Sequence, residues 1–283
     1  MPMSSAFLND RALIHVSGTG AMDFLQNLIT PDLESLPAGE ARAAALLTPQ
    51  GKIMFEFLIW RSSEGFALET GVDQKEALLR RLTMYKLRAP VDLKAGESEG
   101  VSVFWDENAP DGAIKDSRFA KAGIDLYRLP GTTSGDASAY DALRIANGIV
   151  VAGVDYALND AFPHDVLMDV NDGVSFRKGC FVGQEVVSRM KHRGTARRRV
   201  VIVSGEADLP ESGTDIMAGG KPIGTLGTVA GTEGLAIIRT DRAADAMASG
   251  TAITASGITV AVALPAWTGL SFPAVDPAAN ADD

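Results

Sequence analysis

Lys178-Gly179-Cys180-Phe181-Val182-Gly183-Gln184-Glu185 is the stretch from which the rest of this 283-residue chain is read. It contains the chain's one cysteine, bracketed by two glycines, preceded by a lysine and followed by a helix-forming run. Glycines let the backbone present a side chain that would otherwise be packed away. A helix starting near Gly183 points its free N–H groups back toward the sulfur, and with Lys178 nearby that arrangement favours a thiolate. The residues leave two readings open for Cys180: a working thiol, or a small buried hydrophobe.

The charge pattern bears on that choice. The chain has net charge −10, yet Arg177, Lys178, Arg189, Lys191, Arg193, Arg197, Arg198 and Arg199 follow one another with only Glu185 against them. Such a segment is either a solvated face or a site for a carboxylate or phosphate. Net negative charge and the lack of interleaved aromatics argue against a nucleic-acid partner.

Composition frames the rest. Hydrophobic residues make up 46% of the chain and charged residues 22%, enough for real cores in two domains. No apolar run approaches the ~20 residues of a membrane helix, and Met1–Ser5 does not read as a signal peptide. One cysteine excludes an internal disulfide and suits a reducing compartment, so we expect a cytoplasmic protein. It also excludes a complete iron–sulfur or zinc site made by this chain alone, so no resident metal is expected and Cys180 is at most one ligand of a shared cluster. His15, His164 and His192 lack ligand spacing, and His15 reads as packed within a strand.

Along the chain, Arg11–Val16, Ala41–Leu47, Ile53–Trp60, Phe66–Thr70 and Val101–Trp105 read as strands. Thr19–Ile29 reads as a helix. Asp73-Gln74-Lys75-Glu76 reads as a capping box opening a helix with Leu78, Leu79, Leu82 and Tyr85 on one face. Ser138–Asn147 reads as a helix stopped by Gly148. This order is α+β. After Arg199 come short strands punctuated by glycine (Val200–Val203, Lys221–Val229, Leu235–Ile238 and Ile258–Val262), the texture of a small barrel. We expect a first domain over 1–195, a barrel over 196–272, and a loose tail over 273–283.

The quoted stretch, followed by Arg189, resembles the signature of the YgfZ proteins, folate-binding relatives of the glycine-cleavage T-protein (GcvT). Leu25–Asp32, Leu47–Lys52, Leu82–Arg88, Leu143–Gly148, Phe162–Asp165 and Gly219–Trp267 resemble further family segments in the same order. The resemblance implies a GcvT-like fold: a ferredoxin-like duplicated βαββαβ arrangement in a ring of three lobes, closed by a small Greek-key β-barrel. It implies tetrahydrofolate as ligand, with Lys178, Gly179, Gln184, Glu185, Arg189, Arg144 and Tyr85 binding it and Cys180 as the candidate catalytic thiol. It also implies a role in assembling or repairing four-iron clusters beside iron–sulfur partners, with an indirect effect on tRNA thiolation.

Where the T-protein carries two functional acids, this sequence aligns Phe55 and Ala146. Losing a carboxylate that would pair with pterin N–H donors costs about 1–3 kcal/mol for each unsatisfied donor. Glu56 cannot stand in, because adjacent strand residues point to opposite faces. A folate-dependent aminomethyl- or methyltransferase is therefore the alternative reading, and the weaker one.

Overall fold

The computed structural model describes residues 4–106, 109–194 and 196–274. They divide into two compact units. The first comprises residues up to Tyr140 with Leu158–Pro163 and Met168–Arg193; the second comprises Asp141–Ala157, His164–Leu167 and the chain from Gly194. The division is thus not a single cut at 195/196, because the second unit also takes two earlier segments. Most of the tail expected over 273–283 lies outside the described residues, as does Thr195.

In the first unit the chain runs β1 (Ser4–Leu8), β2 (Arg11–Ser17), α1 (Ala21–Gln26), β3 (Glu40–Leu47), β4 (Ile53–Ser62), β5 (Gly65–Gly71) and α2 (Val72–Lys86). It continues through β6 (Asp92–Ala95), β7 (Val101–Trp105), β8 (Ile114–Asp116), α3 (Ser117–Lys121) and β9 (Leu126–Pro130) to the start of α4 (Ala137–Asn147), whose residues from Asp141 on belong to the second unit. Helix α5 (Gln184–Arg193) ends the unit. The strands form one nine-stranded sheet, ordered β1-β7-β9-β8-β3-β4-β5-β2-β6. β3 sits mid-sheet, which explains its apolar run: from Ala41 to Leu47 every residue is buried.

Several local expectations are corrected. α1 is shorter than Thr19–Ile29, because the chain leaves the helix to pair Ile29 with Leu46 and to send the Thr30 N–H to the Ala45 carbonyl at 3.0 Å. Asp73 is not a cap; Gly71 takes that place without a side-chain bond, and Asp73 lies in the first turn, where it suits the helix dipole. His15 is exposed rather than packed. On α2, Leu78 and Leu82 are fully buried, while Leu79 and Tyr85 pack half-buried against the same core as Phe24, Ile29, Phe55 and Phe57.

Among the described residues, the two halves of the sheet pair only where β3 runs parallel to β8, through Glu40–Lys115 and Ala41–Asp116. A buried charge network reinforces that join. Arg128 on β9 donates from Nε to Glu69 on β5 at 2.7 Å, with a second bond from Nη2, and from Nη1 to Asp116 and to the Tyr140 hydroxyl, both at 3.2 Å. Arg118 donates to both Asp116 carboxylate oxygens, at 3.1 and 2.8 Å, and Arg11 on β2 donates to Glu69 at 3.1 Å. Burial pushes the Glu69 carboxyl up, but the charges of Arg128, Arg11 and Arg118 outweigh it and hold it below its ordinary value. Burial acts on Asp116 in the same way and is outweighed by Arg118 and Arg128.

In the second unit, β10 (Arg198–Gly205), β11 (Asp215–Ala218), β12 (Lys221–Ala230), β13 (Glu233–Arg239), α6 (Thr240–Ser249), β14 (Ile253–Ala255) and β15 (Ile258–Ala263) follow in order. The strands close as a barrel, β10-β13-β12-β11-β14-β15, with β15 pairing back to β10. Gly219 and Gly220, both at positive φ, make the two-residue turn from β11 to β12. Val201, Val203, Ile216, Leu226 and Ile238 form the core, with Ala243 and Ala246 of α6 against it. The expected α+β class with a closing barrel is therefore observed.

Replacing Arg128 by Met leaves Glu69 and Asp116 buried without their shared partner. It should lower the unfolding free energy by about 3–5 kcal/mol, read as a fall in the urea midpoint. Both carboxyls are depressed in the folded state, so their contribution is complete above about pH 5.5 and lost as pH falls through the depressed values. Acid titration of unfolding should therefore be steeper below that pH for the native chain than for Arg128→Met.

Candidate functional site

The site lies in the first unit, on the segment leading into α5. Ser175 starts it: its N–H bonds the Thr30 carbonyl at 2.9 Å, and its Oγ accepts from the N–H groups of Arg177 and Lys178 at 3.3 and 3.2 Å. Lys178 then turns inward. Its ammonium donates to the carbonyls of Gln26, Ile29 and Pro31 at 2.6, 2.5 and 2.9 Å, taking up groups freed by the end of α1. The same ammonium lies 5.0 Å from the centre of the Phe181 ring. Burial lowers Lys178 to about 8, with the Asp32 charge opposing. Burial raises the Asp32 carboxyl, but hydrogen bonds from Gln26, the Glu34 N–H and Ser35, with the charge of Lys178, bring it below the ordinary range.

The segment is fixed again just past the thiol. Phe181 is buried, and Gly183 adopts φ +79°. A Cβ at Gly183 would lie 2.5 Å from the Thr48 carbonyl oxygen and 3.0 Å from the Gly51 Cα. Gly51, itself at φ +80°, closes the turn between β3 and β4, with its N–H on the Thr48 carbonyl at 2.9 Å. A Cβ there would meet Val186 of α5 at 3.0 Å. Two glycines thus bring the hairpin turn and the start of α5 into backbone contact. Between the two fixed points, Gly179 and Cys180 are exposed. The buried-hydrophobe reading of Cys180 is ruled out by that exposure. An exposed sulfur can act as a nucleophile or donate one ligand to a metal held jointly with another molecule. Among the described residues, no group of three or more His, Cys, Asp or Glu side chains could hold a metal ion.

The other expected site residues divide. Gln184 and Glu185 open α5, and Glu185 pairs with Arg189 at 2.6 Å on the helix surface, an exposed pair worth about 0–1 kcal/mol. Lys191 lies 5.4 Å from the Phe176 ring and 4.0 Å from Asp169. These cations line a solvated helix face, and Lys178 faces inward, so the anion site expected around the thiol is corrected. Arg144 belongs to the second unit, where every guanidinium nitrogen has a partner. Nε and Nη2 donate to Asp141, Nη1 to the Ile149 carbonyl at 2.9 Å and Asp155 at 3.0 Å, and Nη2 also to Thr228 at 3.0 Å. Asp155 also accepts from the N–H groups of Val151 and Thr228, both at 2.7 Å. Arg144 is therefore a structural cation, and Tyr85 a packing residue. Sequence reasoning missed the carbonyl cup around Lys178 and the contact of Gly51 with α5; the paired glycines at 51 and 183 were the one available signal.

Comparison with known proteins follows the same lines. Residues 197–270 match the family model described as the CAF17 C-terminal beta-barrel domain. The mitochondrial iron–sulfur cluster assembly factor IBA57 of Mus musculus is 30% identical over 275 residues, covering 83% of this chain and 77% of that protein. The mitochondrial IBA57 homologue of Chaetomium globosum is 30% identical over 243 residues, covering 71% of this chain and 56% of its own length. That of Pyricularia oryzae is 29% identical over 221 residues, covering 69% and 55%. The chain thus spans little more than half the length of these fungal relatives. The glycine cleavage system aminomethyltransferase T from Bartonella henselae superposes with a TM-score of 0.69 over 93% of this chain and 86% of that one, at 18% identity, which shows the fold. The cytoplasmic location expected from the lone thiol is overturned by these relatives, which are named as mitochondrial proteins.

The two glycines of the signature should respond oppositely to a methyl group. Gly183→Ala meets the Thr48 carbonyl and an unfavourable φ, and should destabilise the protein by about 2–4 kcal/mol. Gly179→Ala has open space around its Cβ and should leave the urea midpoint within about 0.5 kcal/mol of the native value.

Proposed function

Because the chain belongs to the family of iron–sulfur cluster assembly factors named IBA57, we propose that it serves the assembly or repair of iron–sulfur clusters, four-iron clusters in particular. Cys180 is its working group, and the observation that carries this reading is an exposed sulfur held between two fixed points on the segment that bears the signature. One sulfur leaves three positions of a cluster to other molecules, so the cluster is cargo shared with a client or an assembly partner.

Tetrahydrofolate is proposed as a ligand on the resemblance to the folate-binding YgfZ proteins. The residues first named for it fit poorly: Lys178 and Arg144 are saturated by internal partners, and Tyr85 packs half-buried against the core. No chemical step is assigned to folate here. Aminomethyl transfer is the weaker reading, since Phe55 is buried among apolar side chains and Ala146 is an exposed alanine, so neither position offers a carboxylate.

In cells lacking the native gene, Cys180→Ser should lower the activity of four-iron enzymes while the protein stays soluble and abundant; full rescue by this variant overturns the role of the thiol. Calorimetric titration with tetrahydrofolate should give saturable binding that weakens with salt. Absence of heat at millimolar ligand removes folate from the proposal and leaves the cluster role standing.

A further inference from the structure

The carbonyls of Gln26, Ile29 and Pro31 converge where α1 has ended and the chain is passing to β3. Three acceptors match the three donors of one ammonium, and Lys178 supplies it. The hold is long-range: the partners precede Lys178 by 147 to 152 residues. Upstream the Ser175 turn sets the direction of the chain, and downstream Phe181 and Gly183 fix it against the hairpin turn. Gly179, which touches nothing within 4 Å of where a Cβ would lie, cannot by itself order the residue after it.

We propose that Lys178 is the positioning residue of Cys180: seated in the three-carbonyl cup, it fixes one end of a short strap and holds the sulfur in a single outward arrangement. The inference rests on the reading that Cys180 is the working group. A sulfur that must join an external cluster gains from being held in place, because ordering the strap at the moment of contact would subtract from the interaction. The lysine acts through the backbone, not through its charge on the sulfur.

The lone cysteine allows one nitroxide label to be placed at Cys180 of the full chain without background. The native protein should give a slow, ordered spectrum. Lys178→Met should be mobile, with a rotational correlation time several-fold shorter; Lys178→Arg, which keeps a charged donor, should fall between. A label as ordered in folded Lys178→Met as in the native chain makes Lys178 a stability residue only and overturns the proposal, whatever happens to the urea midpoint. Should Lys178→Met fail to fold, Lys178→Gln, which brings two donors to three carbonyls, is read in its place, and a label as ordered there as in the native chain overturns the proposal. Label motion is read on the purified protein, so its failure leaves the Cys180→Ser result in cells untouched, and full rescue by Cys180→Ser leaves the strap result standing.

Discussion

Arg128 gripping Glu69 and Asp116 is the constraint on which the first unit rests. Two antiparallel groups of strands share only two residue pairs between β3 and β8, too little to keep them in one sheet. Glu69 comes from one group, Arg128 and Asp116 from the other, and all three are almost completely shielded from water. Such a network adds less free energy than an apolar equivalent, because each charge must be desolvated. Its effect is to decide which strands face each other. A misregistered sheet would bury one of these charges without its partner, and that state is disfavoured by several kcal/mol.

The sheet so fixed carries the parts that hold the signature. β3 and β4 supply the turn that meets Gly183, and α1 ends against β3 to open the carbonyl cup. The exposed sulfur is therefore placed by three elements distant in sequence, none of which contributes a reacting group. This separation suits a factor that lends a single sulfur to a shared cluster: the chemistry requires one atom, and the fold supplies its address.

Much of this was legible from the residues. The strands around Arg11, Ala41, Ile53, Phe66 and Val101 follow from apolar runs bounded by turn residues, and the barrel from glycine-spaced short strands. β8, β11 and β14, three or four residues each, escaped, since segments that short carry no period of their own, and the ten-residue α6 escaped because its buried face is made mostly of alanines, a weak apolar signal. The bracketing glycines left Cys180 open between an exposed thiol and a buried one, and the fold decides for exposure. The fate of Lys178 was not: read locally, a lysine two residues from a thiol is a charge acting on that thiol, and only the fold reveals three carbonyls about 150 residues earlier that claim it. Arg144 misled for the same reason. Its partners Asp155 and Thr228 lie 11 and 84 residues ahead, beyond any local pattern.

The strand order also sets a timetable for the chain as it leaves the ribosome. β1 is made first, yet it pairs only with β7, so Ala6 waits for Val103. β2 to β6 can assemble among themselves, but that sheet encloses Glu69 with Arg11 as its one hydrogen-bonded cation until Arg128 has been synthesised. A nascent chain halted between β6 and β7 therefore carries an undercompensated acid in its core and an unpaired N-terminal strand, and one halted between β7 and β9 carries the acid alone. Translation past Leu126–Pro130 supplies Arg128, the cation that completes this core.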